Sequence, residues 1–188
     1  MRWIDSWVNG FSSEVPLQSS IIDVGCGTGN VMRRLAERTP TLLAGIDISA
    51  QMIAVGEKKL KGLPVDLRVG DAESGLPWPD CFFDVAVLTS TIHHFPNPDR
   101  VLANVHRVLK PNAILIIADP LFPFPLLQTI NLFLKVYPMN GDLHFYSLRG
   151  LRRLVSKCGF ERIRQNSAGF SAKYTLAYKA GITHEAAT

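Results

Sequence analysis

The sequence is poor in cysteine. Its 188 residues hold only three, Cys26, Cys81 and Cys158. The number is odd and the spacing matches no zinc motif, so neither a disulfide framework nor a metal site is predicted. A reducing, cytoplasmic location is the default expectation for such a chain. Charged residues make up only 19% of the sequence, and a net charge of +4 is compatible with anionic partners without indicating one.

Long uninterrupted apolar runs are also missing. The longest apolar stretch, residues 121–136, contains prolines together with Gln128, Asn131 and Lys135, and it is too short to span a bilayer. No apolar segment with a small-residue cleavage site follows the first residues, so no signal peptide is predicted. With 47% hydrophobic residues, the chain suits one well-cored domain over residues 1–188 and is short for two.

The central part of the chain alternates strand-like and helix-like segments, which is typical of parallel α/β architecture. Strands are predicted at residues 20–24, 41–48, 64–70, 82–89, 113–119, 160–166 and 172–179. Helices are predicted at residues 30–38, 50–60, 98–109, 126–137 and 148–158. Ser49 and Ser147 are expected to cap two of these helices. In the helix after Ser49, Met52, Ile53 and Val55 are expected on the apolar side.

A glycine-rich turn is the most informative motif. The segment Asp23-Val-Gly25-Cys-Gly27-Thr-Gly29 ends the first predicted strand and precedes a predicted helix. Alternate glycines let the backbone turn sharply and let amide N–H groups approach a ligand that a Cβ would hold away. Those amides and the helix N-terminus favour a negative group, whereas Asp23 favours a positive one. The turn therefore suits a zwitterion, such as the amino-acid end of a nucleotide-like cofactor.

Three acidic residues are evenly spaced along the chain. Asp23, Asp47 and Asp71 lie 24 residues apart, each at or just after the end of a predicted strand. Because the carboxyl ends of parallel strands share one edge of the sheet, these carboxylates are expected around one ligand-binding crevice. Dinucleotide-binding proteins also begin with a strand, a glycine turn and a helix. Their fingerprint requires glycine where this chain has Asn30, and it gives Asp71 no role, so that alternative is disfavoured.

Together these motifs resemble those of class I S-adenosylmethionine-dependent methyltransferases, and most closely the small-molecule branch that includes ubiquinone and menaquinone C-methyltransferases. The matching segments are DVGCGTG at residues 23–29, GIDIS at 45–49, GDAESGLPWPDCFFD at 70–84 and LKPNAILIIAD at 109–119. The resemblance is strong over residues 20–120 and holds only in outline beyond them. It implies a Rossmann-like three-layer sandwich with a seven-stranded, mostly parallel sheet whose last strand is antiparallel.

The resemblance also implies S-adenosylmethionine as cofactor, with S-adenosylhomocysteine as product. The glycine turn would lie against the methionyl part, with Asp23 near its ammonium group. Cys26 is expected as a small residue of the turn whose amide faces the ligand, not as a nucleophile. The residues implied on the methionyl side are Asp23, Gly25, Cys26, Gly27, Gly29, Leu88 and Thr89.

A second group of residues is implied around the nucleoside. Asp47 would accept hydrogen bonds from both ribose hydroxyls. Ile48 and Met52 would enclose the adenine ring, although a Met on a helix face is also common core filler. Asp71 would accept from the adenine amino group, and the Ala72 amide would donate to a ring nitrogen.

His93 and His94 are the candidate catalytic residues. Methyl transfer from a sulfonium is an in-line displacement, so alignment and exclusion of water are the main tasks of the protein. A base is needed only where the acceptor must lose a proton. Both histidines directly follow the fourth predicted strand, and histidine is a residue type that can accept a proton near neutral pH. The alternative is that the pair only orders this loop or contacts the backbone of the cofactor.

Two apolar segments are expected to cover the crevice. One is an N-terminal cap, residues 1–19, and the other an acceptor lid, residues 120–146. The apolar side chains of the cap are Trp3, Ile4, Trp7, Val8 and Phe11. Such covers imply a small-molecule acceptor that is apolar or aromatic, such as a quinone precursor or a lipid. The same segments are also compatible with mutual burial, a homodimer or contact with a membrane surface, so monomer and homodimer both stay open.

Two other functions are compatible with parts of the sequence. Amino-methylating nucleic-acid enzymes carry an Asn/Asp-Pro-Pro-aromatic motif after strand four, where this chain has TSTIHHF. The only support for a nucleic-acid partner is the basic helix with Arg149, Arg152, Arg153 and Lys157, which at helical spacing is more typical of a solvated face. A non-catalytic S-adenosylmethionine-binding protein is the other alternative, because fold does not fix function.

Overall fold

The structure is a computed structural model that describes residues 2–38, 40–120, 126–136, 144–167 and 173–181. Its strands are β1 (Ser20–Val24), β2 (Leu42–Asp47), β3 (Val65–Val69), β4 (Phe83–Thr89), β5 (Leu109–Ala118), β6 (Phe160–Ser167) and β7 (Lys173–Lys179). Its helices are α1 (Arg2–Phe11), α2 (Asn30–Leu35), α3 (Ala50–Lys59), α4 (Pro98–Val108), α5 (Leu126–Val136) and α6 (Leu148–Lys157). None of the helices in these ranges is long and apolar enough to cross a membrane.

The seven strands form one mixed sheet in the order β3-β2-β1-β4-β5-β7-β6. Neighbouring strands from β3 to β5 are parallel, whereas β7 is antiparallel to both β5 and β6. The strand order reverses at β1, which pairs with β2 on one side and β4 on the other. The predicted Rossmann-like fold is confirmed, and the β1/β4 boundary is its topological switch point.

The sheet is covered on both faces, which makes the three layers. Adjacent residues of a strand point to opposite faces. Ile21 and Val85 belong to the core formed with α1, α2 and α3, whereas Ile22 and Leu115 belong to the core formed with α4 and α6. All five residues of β1 are buried. Burial on both faces explains why the strands are nearly continuous apolar runs in the sequence.

Helix α1 packs into the core. Its residues Trp7, Val8 and Phe11 are buried in the same cluster as side chains of α2, and Phe11 makes an edge-on ring contact with Tyr174 of β7 at 6.0 Å. The expectation that these three side chains cover the crevice is therefore wrong. They pack beside α2, on the face where the sheet continues past β4 to β5 and β7. The side chains of residues 3 and 4, also assigned to the cap, lie outside the described part of the structure.

Helix α3 begins where predicted, because the Ser49 hydroxyl accepts a hydrogen bond from the Met52 amide at 3.3 Å. Its buried face differs from the expectation. Ile53 and Gly56 face inward, whereas Met52 and Val55 are each about half exposed. The predicted apolar side was wrong for Met52 and Val55, because the inward stripe uses Gly56, which has no side chain to mark it.

Strand β5 and helices α5 and α6 can also be compared with their predicted positions. Strand β5 begins at Leu109, which pairs with Phe83 of β4, and not at residue 113. The Ser147 hydroxyl caps α6 by accepting from the Gly150 amide at 3.0 Å, as expected. Helix α5 occupies the predicted lid. Of the rest of the predicted lid, residues 121–125 and 137–143 lie outside the described residues.

Candidate active site

A cavity of about 460 Å³ opens at the carboxyl ends of β1, β2 and β3. This volume falls within the range of small-molecule sites. It is lined by Gly25, Ile46, Asp47, Ile48, Gly70, Asp71, Ala72, Glu73, Thr91, His94, Phe95 and Pro96. The strand ends thus bring the glycine turn, two of the three evenly spaced carboxylates and one of the two histidines to one cavity.

The glycine turn has a backbone that glycine adopts most readily. Gly25, Gly27 and Gly29 all have left-handed φ values, at +74°, +52° and +72°. A Cβ on Gly25 would overlap the Thr91 side chain, and one on Gly29 would lie 2.7 Å from Leu60 Cδ1. Among the described residues, nothing lies within 4 Å of a Cβ built on Gly27. Gly25 and Gly29 therefore allow close packing, while Gly27 leaves open space beside the turn.

The amides of the turn hold it against β2. The Gly25 and Cys26 amides both donate to the Ile46 carbonyl, at 2.8 and 3.0 Å, and the Gly27 amide donates to the Asp47 carboxylate at 2.8 Å. The expectation that the Cys26 amide faces a ligand is therefore wrong, because β2 already accepts that hydrogen bond. Burial, reinforced by the nearby carboxylates, raises the pKa of the Cys26 thiol. A thiol with that pKa is a poor nucleophile, as expected.

Asp47 is fixed by two backbone donors. Its Oδ1 accepts from the Ser49 amide at 2.9 Å and its Oδ2 from the Gly27 amide at 2.8 Å. Each carboxylate oxygen retains a second lone pair. Because Asp47 also lines the cavity, it can accept hydrogen bonds from two donors of a ligand without changing its orientation.

Asp71 is held in a similar way at the end of β3. It accepts from the Glu73 amide at 2.9 Å and from the Ser74 hydroxyl at 2.6 Å. The bond from Ser74 contributes most to lowering the pKa of Asp71, followed by that from the Glu73 amide. The Glu73 carboxylate in turn accepts from the amide and the side chain of Asn97, at 2.8 and 2.9 Å. These hydrogen bonds fix the part of the cavity wall that contains Ala72.

Asp23 is a buried carboxyl whose hydrogen bonding is incomplete. It is only 1% exposed, and its Oδ2 has no hydrogen-bond partner in the described part of the chain. Burial, together with the Asp47 carboxylate, raises the pKa of Asp23 to about 7. On the neighbouring strand, the buried Thr89 hydroxyl oxygen likewise lacks a partner among the described residues. Such groups are costly to bury unless a ligand supplies their partners.

The structure separates the two histidines. His94 lines the cavity, but His93 does not. The His93 Nδ1 lies 2.8 and 2.9 Å from the two carboxylate oxygens of Asp119, at the end of β5. Its ring stacks on Phe145 with centroids 4.6 Å apart. Burial raises the pKa of Asp119, and the bond to His93 opposes that rise.

Several residues implied by the resemblance lie away from the cavity lining. Leu88 is fully buried in the core shared with α4, and Met52 is exposed on α3. Six lining residues were missed by the sequence analysis: Ile46, Gly70, Glu73, Thr91, Phe95 and Pro96. The last three belong to the loop after β4, so the position of this loop at a strand end was the signal for them.

Comparison with known proteins agrees with this geometry. The sequence model of the methyltransferase domain matches residues 22–117, about half of the chain. The chain belongs to that family. The demethylmenaquinone methyltransferase of Thermus thermophilus is 28% identical over 94% of this chain and 84% of its own. The ubiquinone/menaquinone biosynthesis C-methyltransferase of Citrifermentans bemidjiense is 31% identical over 77% of this chain and 71% of its own.

The fold of the methyltransferase is also found among solved structures. The YcgJ protein from Bacillus subtilis superposes with a TM-score of 0.77 at 18% identity, covering 95% of this chain and 98% of that chain. The protein is thus an S-adenosylmethionine-dependent methyltransferase. Its residues fit that cofactor. The Oδ2 atom of buried Asp23 has no partner among the described residues and suits an ammonium donor, and the space beside Gly27 is open.

Proposed function

We propose that this methyltransferase methylates a small apolar or aromatic metabolite, similar to a quinone precursor or a lipid. The observation that carries the proposal is the apolar helix α5, which is anchored beside the cavity. Leu127 and Leu134 of α5 are buried against Phe145, whose ring stacks on His93 next to cavity-lining His94. Relatives named for quinone-related methylation at about 30% identity support the same class of acceptor.

For the cofactor, we propose roles for the cavity-lining residues Asp47, Ile48 and Asp71, and for Asp23 and Gly27, which are not in the cavity lining. Asp23 would accept from the ammonium group, and the open side of Gly27 would admit the methionyl chain. Asp47 would accept from the ribose hydroxyls, and Asp71 from the adenine amino group, with Ile48 as an apolar wall. When bound, S-adenosylmethionine supplies an electrophilic methyl group on its sulfonium. The remaining task of the protein is to align the acceptor in line with that bond and to exclude water.

For catalysis, we propose that His94 takes the proton from any acceptor that must lose one. Its position in the cavity lining supports this role, because a base must lie within reach of the proton that it accepts. We propose a positioning role for His93, since its Nδ1 is bound to Asp119. His93 and Asp119 would hold the Ile92–His94 turn, and with it Thr91 against the glycine turn.

The cofactor part of the proposal is tested by calorimetry with S-adenosylhomocysteine. Replacing Asp47 with Ala removes two charged acceptors, and we expect at least a tenfold loss of affinity, or about 1.4 kcal/mol. Asp47→Asn keeps one acceptor for the Ser49 amide. It therefore separates loss of the contact with the ligand from disruption of the glycine turn. Asp5→Ala, at an exposed ion pair with Arg34, is the matched control. Unchanged affinity in both Asp47 variants would contradict the assignment.

The acceptor part is tested by measuring methyl transfer to a panel of metabolites. Turnover of demethylated quinones or related phenols, and none of soluble polar acceptors, is the expected result. Salt-sensitive methylation of RNA would overturn the acceptor class in favour of a nucleic-acid substrate. Tight binding of S-adenosylhomocysteine with no turnover on the whole panel would count against catalysis and favour a non-catalytic binding protein.

A further inference from the structure

Helix α5 is apolar on two faces. One face is buried through Leu127 and Leu134. The other carries Leu126, Leu132 and Phe133, which are 49%, 67% and 50% exposed. A surface helix of a globular protein normally turns polar side chains to water on that second face. Gln128, Thr129 and Lys135 are also exposed on α5, but several large apolar side chains exposed on one short helix mark an interaction surface.

Helix α6 carries charge of one sign only. Its ten residues include Arg149, Arg152, Arg153 and Lys157 and no acidic residue. Lys157 is paired with Asp99 at 2.8 Å. Within the described part of the chain, no ion pair involves the three arginines, and all three are exposed. The outer side of α6 is therefore an uncompensated cationic face.

The two surfaces are close along the chain and in space. The Asn131 side chain of α5 binds both backbone groups of Phe145, donating to its carbonyl and accepting from its amide at 2.9 Å each. Ser147, two residues later, caps α6. Helix α6 therefore starts next to the point at which α5 is anchored, and its arginines lie in its first two turns. The apolar residues of α5 and the arginines of α6 thus belong to two helices that are joined near Phe145, whose ring stacks on His93 next to cavity-lining His94.

We propose that α5 and α6 form a docking surface for a bilayer that contains anionic lipids. Leu126 and Leu132 would enter the apolar part of the interface while the arginines of α6 meet lipid phosphates. At eleven residues, α5 is too short to span a bilayer, so it would lie in the plane of the interface. A second copy of the chain is a poorer occupant, because pairing these faces would bring two cationic helices together.

Docking would let an acceptor dissolved in the membrane reach the cavity without crossing water. Delivery of the acceptor from the membrane rests on the proposed apolar acceptor, whereas docking to the membrane does not depend on it. Vesicle binding and methyl transfer to a detergent-dispersed acceptor can therefore fail separately. Loss of vesicle binding with turnover retained would overturn only the docking proposal. Vesicle binding without turnover of any apolar acceptor would overturn only the proposed substrate class.

The test is co-sedimentation of the full chain with vesicles. We expect binding to phosphatidylcholine mixed with phosphatidylglycerol, little binding to phosphatidylcholine alone, and weakening by salt. A basic residue near an anionic surface contributes about fivefold to partitioning, so Arg152→Glu with Arg153→Glu should weaken binding at least about twentyfold. Leu126→Glu with Leu132→Glu should abolish it.

Matched controls use exposed residues away from this surface. Leu17→Glu replaces a leucine that is 63% exposed ahead of β1, and Arg33→Glu replaces an exposed arginine of α2. Both should leave vesicle binding unchanged, and every variant should keep its affinity for S-adenosylhomocysteine. Equal binding to neutral vesicles, or no binding to either kind, would overturn the proposal. So would a homodimer in centrifugation that Leu132→Glu dissociates.

Discussion

At the scale of a single residue, the ionisation of Asp23 makes the cofactor site sensitive to pH. Burial first, and the Asp47 carboxylate second, raise its pKa from 3.8 to about 7. Between those values the folded protein binds a proton that the unfolded chain does not. The contribution of Asp23 to the free energy of unfolding is therefore fully present below pH 3.8 and is lost as pH rises through about 7. Without a ligand, protonation of Asp23 removes the cost of burying its carboxylate.

If Asp23 binds the ammonium group of the cofactor, the ligand requires the ionised carboxylate. The affinity for S-adenosylhomocysteine should then rise about tenfold between pH 6 and pH 8, as binding releases the Asp23 proton. Calorimetry in buffers of different ionisation enthalpy measures that release directly. Asp23→Asn should lower the affinity and remove the pH dependence. A wild-type affinity that is level across this range would argue against the ammonium contact.

The two histidines show what the sequence can and cannot specify at this scale. Their place in the sequence predicted that both lie directly after the fourth strand, and this is confirmed. Which of them faces the cavity depends on the 3-10 turn at Ile92–His94 and on Asp119, which is 26 residues away from His93. A contact at that separation forms only when β5 pairs with β4, so local sequence alone does not indicate it.

At the scale of elements, the Asn131 side chain ties α5 to the domain through two hydrogen bonds. Asn131→Leu removes both hydrogen bonds to the Phe145 backbone, and Asn131→Asp removes the donor and sets a carboxylate against a carbonyl oxygen. Each should raise hydrogen exchange in α5 about tenfold or more while the central strands are unaffected. Gln128→Leu, on the exposed side of α5, is the control. Unchanged exchange in both Asn131 variants would show that other contacts hold α5.

Hydrophobic patterning predicted all seven strands and the helices α2 to α6, but their faces and ends less well. Met52 and Val55 fit an apolar stripe, yet the stripe that packs runs through Gly56, because a position without a side chain leaves room for close packing. Strand β5 was predicted to start late, since Pro111 and Asn112 suggest a turn. Pairing of Leu109 with Phe83 overrides that local preference.

At the scale of the molecule, α1 is part of the main core. Phe11 is fully buried and contacts Tyr174, so residues far apart in the sequence stabilise one another. Phe11→Ala should lower the free energy of unfolding of the whole domain by about 3–5 kcal/mol. Leu17→Ala, at an exposed site, should stay within about 0.5 kcal/mol of wild type. Chemical denaturation followed by fluorescence and circular dichroism measures both, and a Phe11 variant as stable as wild type would refute this account of α1.

The strand order has a consequence for synthesis of the protein. Strand β7 is made after β6, yet in the sheet it lies between β5 and β6. While the ribosome is still adding residues 173–179, the outer edge of β5 has no strand to pair with. An unpaired apolar edge is a template for pairing with another chain. The nascent protein should therefore be most vulnerable to aggregation, and most dependent on chaperones, just before β7 emerges.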